Sequence, residues 1–373
     1  MKIPLVDLKR QYLNLKTEID HAITEVINET AFISGKYAKL FEKEFSETYG
    51  VKHCISTGNG TDSLYIIMKS LGIQQGDEVI TVSNSWISSS ETISQTGATP
   101  VFVDIETDTF SINCSLIEKE INSRTKALLI VHLHGQMCDM NKINALAKKY
   151  NLFVIEDCAQ SHFSEYNNIY AGLHGIAGSF SFYPGKNLGA YGDAGCIITN
   201  NDDLAVKCRK FANHGGLVKH QHDIEGINSR MDGIQANILR VKLNYIKQWT
   251  IQRINVAGEY SRLLSDLKSV VKTPVIRKNT KHSFHVYQIE CEKRDELSEY
   301  LNNKGIQTTR HYPTPLPFLP CYKYLKYEEN NLPNVVNASR KILSLPIFPE
   351  MTTEEINFVV KNIYNFYEKD WNN

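Results

Sequence analysis

The stretch SFSFYPGKNLGAYGDAGC, residues 179–196, sets four glycines, one proline and a single lysine among short runs that alternate small and aromatic residues. GSFSFY from 178 and GCIITN from 195 read as two strands flanking a tight loop, and a hairpin of the two gives the sheet an antiparallel member. Upstream lie further β-like runs: HCIS at 53, EVITVS at 78, PVFVDI at 100, KALLIVHL at 126 and NLFVIED at 151. Helix-sized segments separate them. Such alternation over about a hundred residues predicts stacked βαβ units, hence an α/β fold around a mainly parallel sheet.

The 373 residues exceed the size at which one hydrophobic core stops growing, so two packed units are expected. Tyr12, Leu15, Ile19, Ala22, Ile23, Val26 and Ile27 recur at helical spacing and predict an opening helix over 11–29. A second helical pattern runs from Met231 to Leu267, with Ile234, Ile238, Val241, Leu243, Ile246 and Trp249 as its apolar face. It bridges to a smaller unit. There the chain offers a strand at SFHVYQIEC, 283–291, a helix at 294–303, the Pro-rich HYPTPLPFLP at 311–320, and helices near 335–344 and 352–367. The expected division is a large cofactor-binding domain over 1–245 and a small α+β domain over 246–373.

Hydrophobic residues at 42% and charged residues at 22% leave no room for long disordered tracts. Lys plus Arg and Asp plus Glu each number 41, and the zero net charge argues against a general nucleic-acid or anionic-membrane surface. Eight scattered cysteines without a CxxC pair read as reduced thiols of a cytosolic protein. The N-terminus lacks an apolar signal core, and no apolar run approaches the ~18 residues of a membrane span. A soluble, cytoplasmic protein is expected.

In a parallel sheet, ligands bind beyond the carboxyl ends of the strands. Four places stand out there. STGNGTDSL, 56–64, is a small-residue loop entering a helix pattern, and its N–H groups with the Thr61 hydroxyl suit a phosphate; an ordinary capped helix has the same pattern. Trp86 in NSWISSSE either stacks on an aromatic ligand or packs in the core. Asp157 in DCAQSH, with Gln160 three residues on, is either a helix N-cap or a carboxylate paired with a buried cation such as a pyridinium nitrogen. Lys186 is either a solvent-exposed amine or a partly desolvated one able to form a Schiff base. Gly185, Gly189, Gly192 and Gly195 remove side chains around it, so backbone and a planar ligand approach closely.

Taken together in this chain order, the motifs PLVDLKRQY, TGNGTDSL, GDEVITVS, VHLHGQMCDM, EDCAQSH, SFYPGKNLGAYGDAG, INSRMDGIQANILRVKL and HYPTPLP resemble a DegT/StrS-type sugar aminotransferase. That family is a branch of the pyridoxal-phosphate enzymes with the aspartate aminotransferase fold, fold type I. The resemblance spans essentially the whole chain. It implies that Lys186 holds the pyridoxal 5'-phosphate aldehyde, that Asp157 pairs with the pyridine nitrogen, and that Gln160 contacts the ring hydroxyl. Gly60, Thr61 and Ser181 hold the phosphate and Trp86 stacks on the ring. It also implies a homodimer with shared sites, in which Asn228 of the INSRMD motif reaches the partner's phosphate.

Lysine at 186, where dehydrating relatives carry histidine, implies transamination through pyridoxamine 5'-phosphate. GKNLGAYGDAG resembles the enzymes that aminate carbon 3 of nucleotide-linked 3-keto sugars, so the implied substrates are a dTDP-3-keto-6-deoxyhexose and L-glutamate. Carbon-4 amination and a UDP-linked sugar remain alternatives within the family, and a bacterial surface polysaccharide of O-antigen type is the implied destination. Tyr183, His311 and Tyr312 are candidate sugar contacts or interface packing. Lys219 and His220, with His222, either meet a pyrophosphate or form a polar loop. The HxH pairs at 132–134 and 220–222 lack a nearby third ligand, so no metal is expected. Two other classes fit less of the chain: a cofactor-binding regulator without turnover, and a Rossmann-type dehydrogenase, for which GxGxxG is missing.

Overall fold

The computed structural model describes residues 1–368. Its main sheet takes seven strands: β1 (His53–Thr57), β2 (Glu78–Val82), β3 (Thr99–Val103), β4 (Thr125–Val131), β5 (Phe153–Asp157), and, after a small hairpin of β6 (Glu165–Tyr166) and β7 (Ile169–Tyr170), β8 (Ala177–Ser181) and β9 (Gly195–Thr199). The spatial order is β1-β9-β8-β5-β4-β2-β3. From β8 to β3 all neighbours are parallel, while β9 runs antiparallel to both β8 and β1. One reversed strand thus sits in an otherwise parallel sheet, where the 178–199 hairpin predicted it. Helices cover the sheet, so its central strands are buried on both faces; in β4, Ala127, Leu128, Leu129 and Ile130 are fully buried.

The alternation in SFSFY is the two-residue period of a strand. Phe180 and Phe182 turn to one face and are fully buried. There they meet Phe45 at ring-centre distances of 5.5 and 5.6 Å. Phe45 belongs to the helix Gly35–Tyr49, which buries Tyr37, Ala38, Phe41, Phe45 and Tyr49 at helical spacing. Each such aromatic pair adds about 0.5–1.5 kcal/mol beyond area burial. Ser179 and Ser181 turn the other way, toward Gly60. The lysine-bearing loop therefore springs from a strand anchored by two aromatic side chains.

Four element boundaries differ from the sequence reading. The opening helix is two, Leu8–Asn14 and Lys16–Asn28, because Leu15, whose side chain is buried, leaves helical geometry at φ −113° and ψ 11°. The helical stretch from Met231 breaks at Asn244 and Tyr245 into Gly233–Leu243 and Ile246–Leu263. Strand β12 covers only Tyr287–Cys291; residues 283–286 instead meet the turn after β4, where the His285 N–H donates to the His134 carbonyl. Near 335–344 a helix, Pro333–Ser339, stops early, and Ile342–Leu345 forms strand β13 against β12. A four-residue apolar run has no periodicity of its own, so burial beside β12 decides it. With β10 (Val271–Lys272) these make a second, antiparallel sheet, and β11 (Thr280–Lys281) pairs with β6.

Two large buried clusters result. One gathers side chains from Leu15 to Trp249 and also Leu332, Val335, Val336, Ala338 and Ile342. The other joins Ile3 to side chains from Val256 to Tyr364. The change of cluster falls between Trp249 and Val256, inside the helix Ile246–Leu263. Among the described residues no helix is long and apolar enough to cross a membrane.

Candidate active site

The carboxyl ends of β1, β2, β5 and β8 open into one cavity of about 560 Å³. Gly60, Thr61, Trp86, Asp157 and Gln160 line it, and so do Ser181, Tyr183, Lys186, His311 and Tyr312. Asn228, Lys219 and His220 do not. They lie exposed on the segment leading to the helix Gly233–Leu243, with Asn228 bridged to Asn213.

One end of the cavity is built for an anion. Asn59 caps the helix Gly60–Ser70 by accepting from the Asp62 N–H at 2.8 Å, which leaves the Gly60 and Thr61 N–H groups without acceptors among the described residues. A Cβ on Gly60 would stand 2.7 Å from the Ser181 Cβ, so only glycine lets the helix start rest on the end of β8. The Thr61 and Ser88 hydroxyls pair at 2.8 Å. Two N–H groups and the Thr61, Ser88 and Ser181 hydroxyls thus line this end of the cavity, a donor set suited to a phosphate. Ser88 escaped the sequence reading; the serine run 88–90 at a helix start after β2 was its signal.

Across the cavity, Asp157 is not a helix N-cap, because turns follow it rather than a helix. Its Oδ1 accepts from the Ala159 N–H at 3.1 Å and its Oδ2 from the Ser89 hydroxyl at 2.8 Å. Burial pushes its carboxyl up from the ordinary range, while these two donors and Lys186 pull it down. A buried carboxylate aimed into a cavity fits a cationic ring nitrogen. Gln160 is held at both ends: Oε1 accepts from the His134 N–H at 2.6 Å and Nε2 donates to the Tyr312 hydroxyl at 3.0 Å. Trp86 is 60% exposed, which excludes a core role, and its ring lies 5.9 Å from that of Tyr312. His311 Nδ1 meets the Ser344 hydroxyl at 2.8 Å, and burial lowers that imidazole to about 4.

Lys186 sits at the tip of a loop whose base is closed by the Ala190 N–H donating to the Phe182 carbonyl. Its ammonium has no hydrogen-bond partner or ion pair among the described residues, and burial lowers it to about 8 against the pull of Asp157. The surrounding glycines do something other than clear room for a ligand. A Cβ on Gly189 would meet the Pro184 carbonyl at 2.3 Å, on Gly195 the Asn59 backbone at 2.4 Å, and on Gly192 the Gln235 amide at 2.9 Å. They let the loop pack on itself and on its neighbours; only Gly185 of the four lines the cavity. From below, the fully buried Lys242 donates to the Gly189 carbonyl at 2.7 Å. Nothing in the sequence marks that lysine off from a surface cation on the same helix.

The two HxH pairs do not converge. His132 pairs with Glu156 at 2.8 Å, while His134 faces the His311 carbonyl. His132, Glu156 and Cys158 lie close enough to enclose an ion. The Glu156 oxygens, however, are already taken by His132 and by the N–H groups of Gly172, His174 and Gly175.

Residues 14–364 match the model described as the DegT/DnrJ/EryC1/StrS aminotransferase family. The chain belongs to that family. It is a pyridoxal-phosphate-dependent sugar aminotransferase, and the lone lysine, the buried carboxylate and the donor-lined anion end all fit the cofactor. The aminotransferase is 44% identical to a "Pleiotropic regulatory protein" of Geobacillus stearothermophilus, over 98% of this chain and 99% of that protein. It is 39% identical to the dTDP-3-amino-3,6-dideoxy-alpha-D-galactopyranose transaminase of Aneurinibacillus thermoaerophilus, again over 98% and 99%. Among solved structures, DesV of S. venezuelae in complex with a ketimine intermediate superimposes with a TM-score of 0.96 at 36% identity, covering 99% of both chains. Other relatives of the aminotransferase are named for UDP-linked and GDP-linked sugars, at 36% and 34% identity.

Proposed function

We propose that the enzyme transfers the amino group of L-glutamate to carbon 3 of a dTDP-linked 3-keto-6-deoxyhexose, giving a dTDP-3-amino-3,6-dideoxyhexose for a bacterial surface glycan. The observation that carries the reading is the unpaired, desolvated Lys186 facing Asp157 across one cavity, on a GKNLGAYGDAG loop like that of the carbon-3 enzymes. When bound, pyridoxal phosphate supplies an aldehyde that takes up amines and a ring that withdraws electrons. Asp157 holds the proton on the ring nitrogen. In the cofactor-free site the amine is lowered to about 8, so Lys186 Nζ would be the group that moves a proton at the donor carbon near neutral pH. Gly60, Thr61, Ser88 and Ser181 hold the phosphate, Trp86 covers the ring, and Gln160 meets the ring hydroxyl.

Tyr183, His311 and Tyr312 surround the sugar. A nucleotide pyrophosphate needs cations, and Lys186 is the only lysine or arginine among the described residues lining the cavity. We therefore place the partner's Asn228 and the partner's Lys219 at the site of a homodimer, with His220 beside them. Purified enzyme with glutamate and dTDP-linked 3-keto or 4-keto 6-deoxyhexoses tests the reading. NMR should locate the new amine on carbon 3; amination of carbon 4 alone, or of a UDP-linked sugar alone, overturns the substrate assignment. The regulatory name of the 44% relative favours one second reading, a binder without turnover. Such a protein forms no 2-oxoglutarate from glutamate.

A further inference from the structure

We propose that Ser89 is a positioning residue for Asp157, and that Ser85 fixes the direction of the hydrogen bond through which it acts. Ser89 Oγ lies 2.8 Å from Asp157 Oδ2 and 2.8 Å from Ser85 Oγ. A hydroxyl has one proton, and an ionised carboxylate only accepts. Ser89 therefore gives its proton to Asp157, and its contact with Ser85 is made by the Ser85 hydroxyl donating to Ser89. The result is a one-way chain, Ser85 to Ser89 to Asp157. Ser85 and Ser89 are 4% and 1% exposed, so bulk water does not substitute for either hydroxyl. The chain begins at the cavity wall, which Ser85 lines, and ends on the carboxylate.

Asp157 needs such a donor. Burial disfavours its charged form more than any other influence, and the Ser89 hydroxyl, the Ala159 N–H, Lys186 and His132 are what oppose it. Lys186 reaches it from the β8–β9 loop, His132 from the end of β4, and the Tyr312 hydroxyl feels its charge from the segment carrying His311. Ser89 is the only side-chain hydroxyl bonded to it among the described residues. Removing one bond to a charged acceptor is expected to raise such a carboxyl by about one to two pH units. That weakens its hold on a ring-nitrogen proton.

The proposal rests on the reading of Asp157 as the ring-nitrogen partner. The test records the visible absorption of the bound cofactor against pH in the holoenzyme, together with cofactor content, melting temperature and the rate of the glutamate half-reaction. Ser89→Ala should displace the spectroscopic transition by about one pH unit and slow the half-reaction about tenfold or more, with cofactor content retained and the melting temperature lowered by no more than a few degrees. Ser85→Ala should displace it the same way by less, and Ser89→Thr, which keeps the hydroxyl, should restore both readouts. An unmoved transition in Ser89→Ala overturns the proposal, as does a rate loss that merely follows lost cofactor or a melting temperature lowered further than that. Asp157→Asn separates the two levels. If its spectrum changes while that of Ser89→Ala does not, this proposal alone fails; if its spectrum is also unchanged, the reading of Asp157 fails and the proposal with it.

Discussion

Lys186→Met should make the cofactor-free protein more stable, not less. The lysine amine has an ordinary value of 10.5 and is lowered to about 8 in the folded chain, chiefly by burial. The unfolded chain therefore binds its proton more tightly. Below pH 8 that difference costs the folded state the whole amount, and the cost fades as pH rises from 8 to 10.5. At about 1.4 kcal/mol per pH unit the cost is about 3.4 kcal/mol, and the partial exposure of Lys186 trims it to about 1–3 kcal/mol. Methionine matches lysine in length and removes the charge, and no hydrogen bond is lost because the ammonium makes none. Lys242, also buried, is common to both proteins and cancels. Urea unfolding of cofactor-free wild type and variant, at equal protein concentration and several pH values, measures the gap. It should be largest at pH 7 and close toward pH 10. A variant less stable than wild type at pH 7, or a gap indifferent to pH, refutes the picture of a desolvated, unpaired amine.

Lys186→Ala should abolish turnover and the visible absorption of the bound cofactor; full activity in that variant refutes the assignment. Gly60→Ala should weaken phosphate binding and lower stability by about 1–3 kcal/mol, because the new Cβ would press on Ser181 at 2.7 Å; a melting curve and a cofactor titration read both effects. Glu156→Gln should lower stability by about 1–3 kcal/mol, since an amide cannot accept on both of its terminal atoms from His132 and the Gly172, His174 and Gly175 N–H groups; a melting curve of the variant reads the loss. Burial opposes charge on His132, whose Nδ1 accepts from the Cys138 N–H at 3.3 Å, so the ring is neutral and donates to Glu156 from Nε2.

The sheet was legible because its strands announce themselves. Runs such as KALLIVHL are too apolar for a surface and too short for most helices, and each is punctuated by polar residues at its carboxyl end. Two of those polar ends, Asp157 and the Gly60 loop, were legible as a candidate site for that reason, whereas Ser181 came only with the family resemblance. Less legible was whatever depends on which neighbour a segment meets. Residues 342–344 read as helix until β12 stands beside them, and the break at Leu15 falls inside an unbroken helical periodicity. The glycines around Lys186 carried a visible message with the wrong addressee: three of them admit protein backbone or side chain, not ligand. Ser88, Ser89 and Ser85 were hidden for another reason. A serine run reads as a helix start, and its partners Thr61 and Asp157 lie far away in sequence.

The charge inventory of the cavity bears on why we propose a shared site. Asp157 and Asp193 line it, Lys186 is its only lysine or arginine among the described residues, and burial keeps His285 and His311 neutral near pH 7. A cofactor phosphate, a nucleotide pyrophosphate and a dicarboxylic amino donor all bring negative charge into that space. The helix start at Gly60 supplies partial positive charge for one phosphate, which falls off within a turn. The remaining cations must enter from elsewhere. Lys219, His220 and His222 stand on an exposed segment that also bares Leu217, Val218 and Ile224, each about half exposed or more. Apolar side chains beside a lysine that has no ion pair among the described residues are costly to leave in water and suited to burial against a second copy. The proposed dimer therefore answers two separate deficits, apolar surface on the strip and missing positive charge in the cavity. Charge reversal at Lys219 separates them: Lys219→Glu should raise KM for the nucleotide sugar about tenfold or more while the glutamate half-reaction stays near the wild-type rate. An unchanged KM would remove Lys219 from the site.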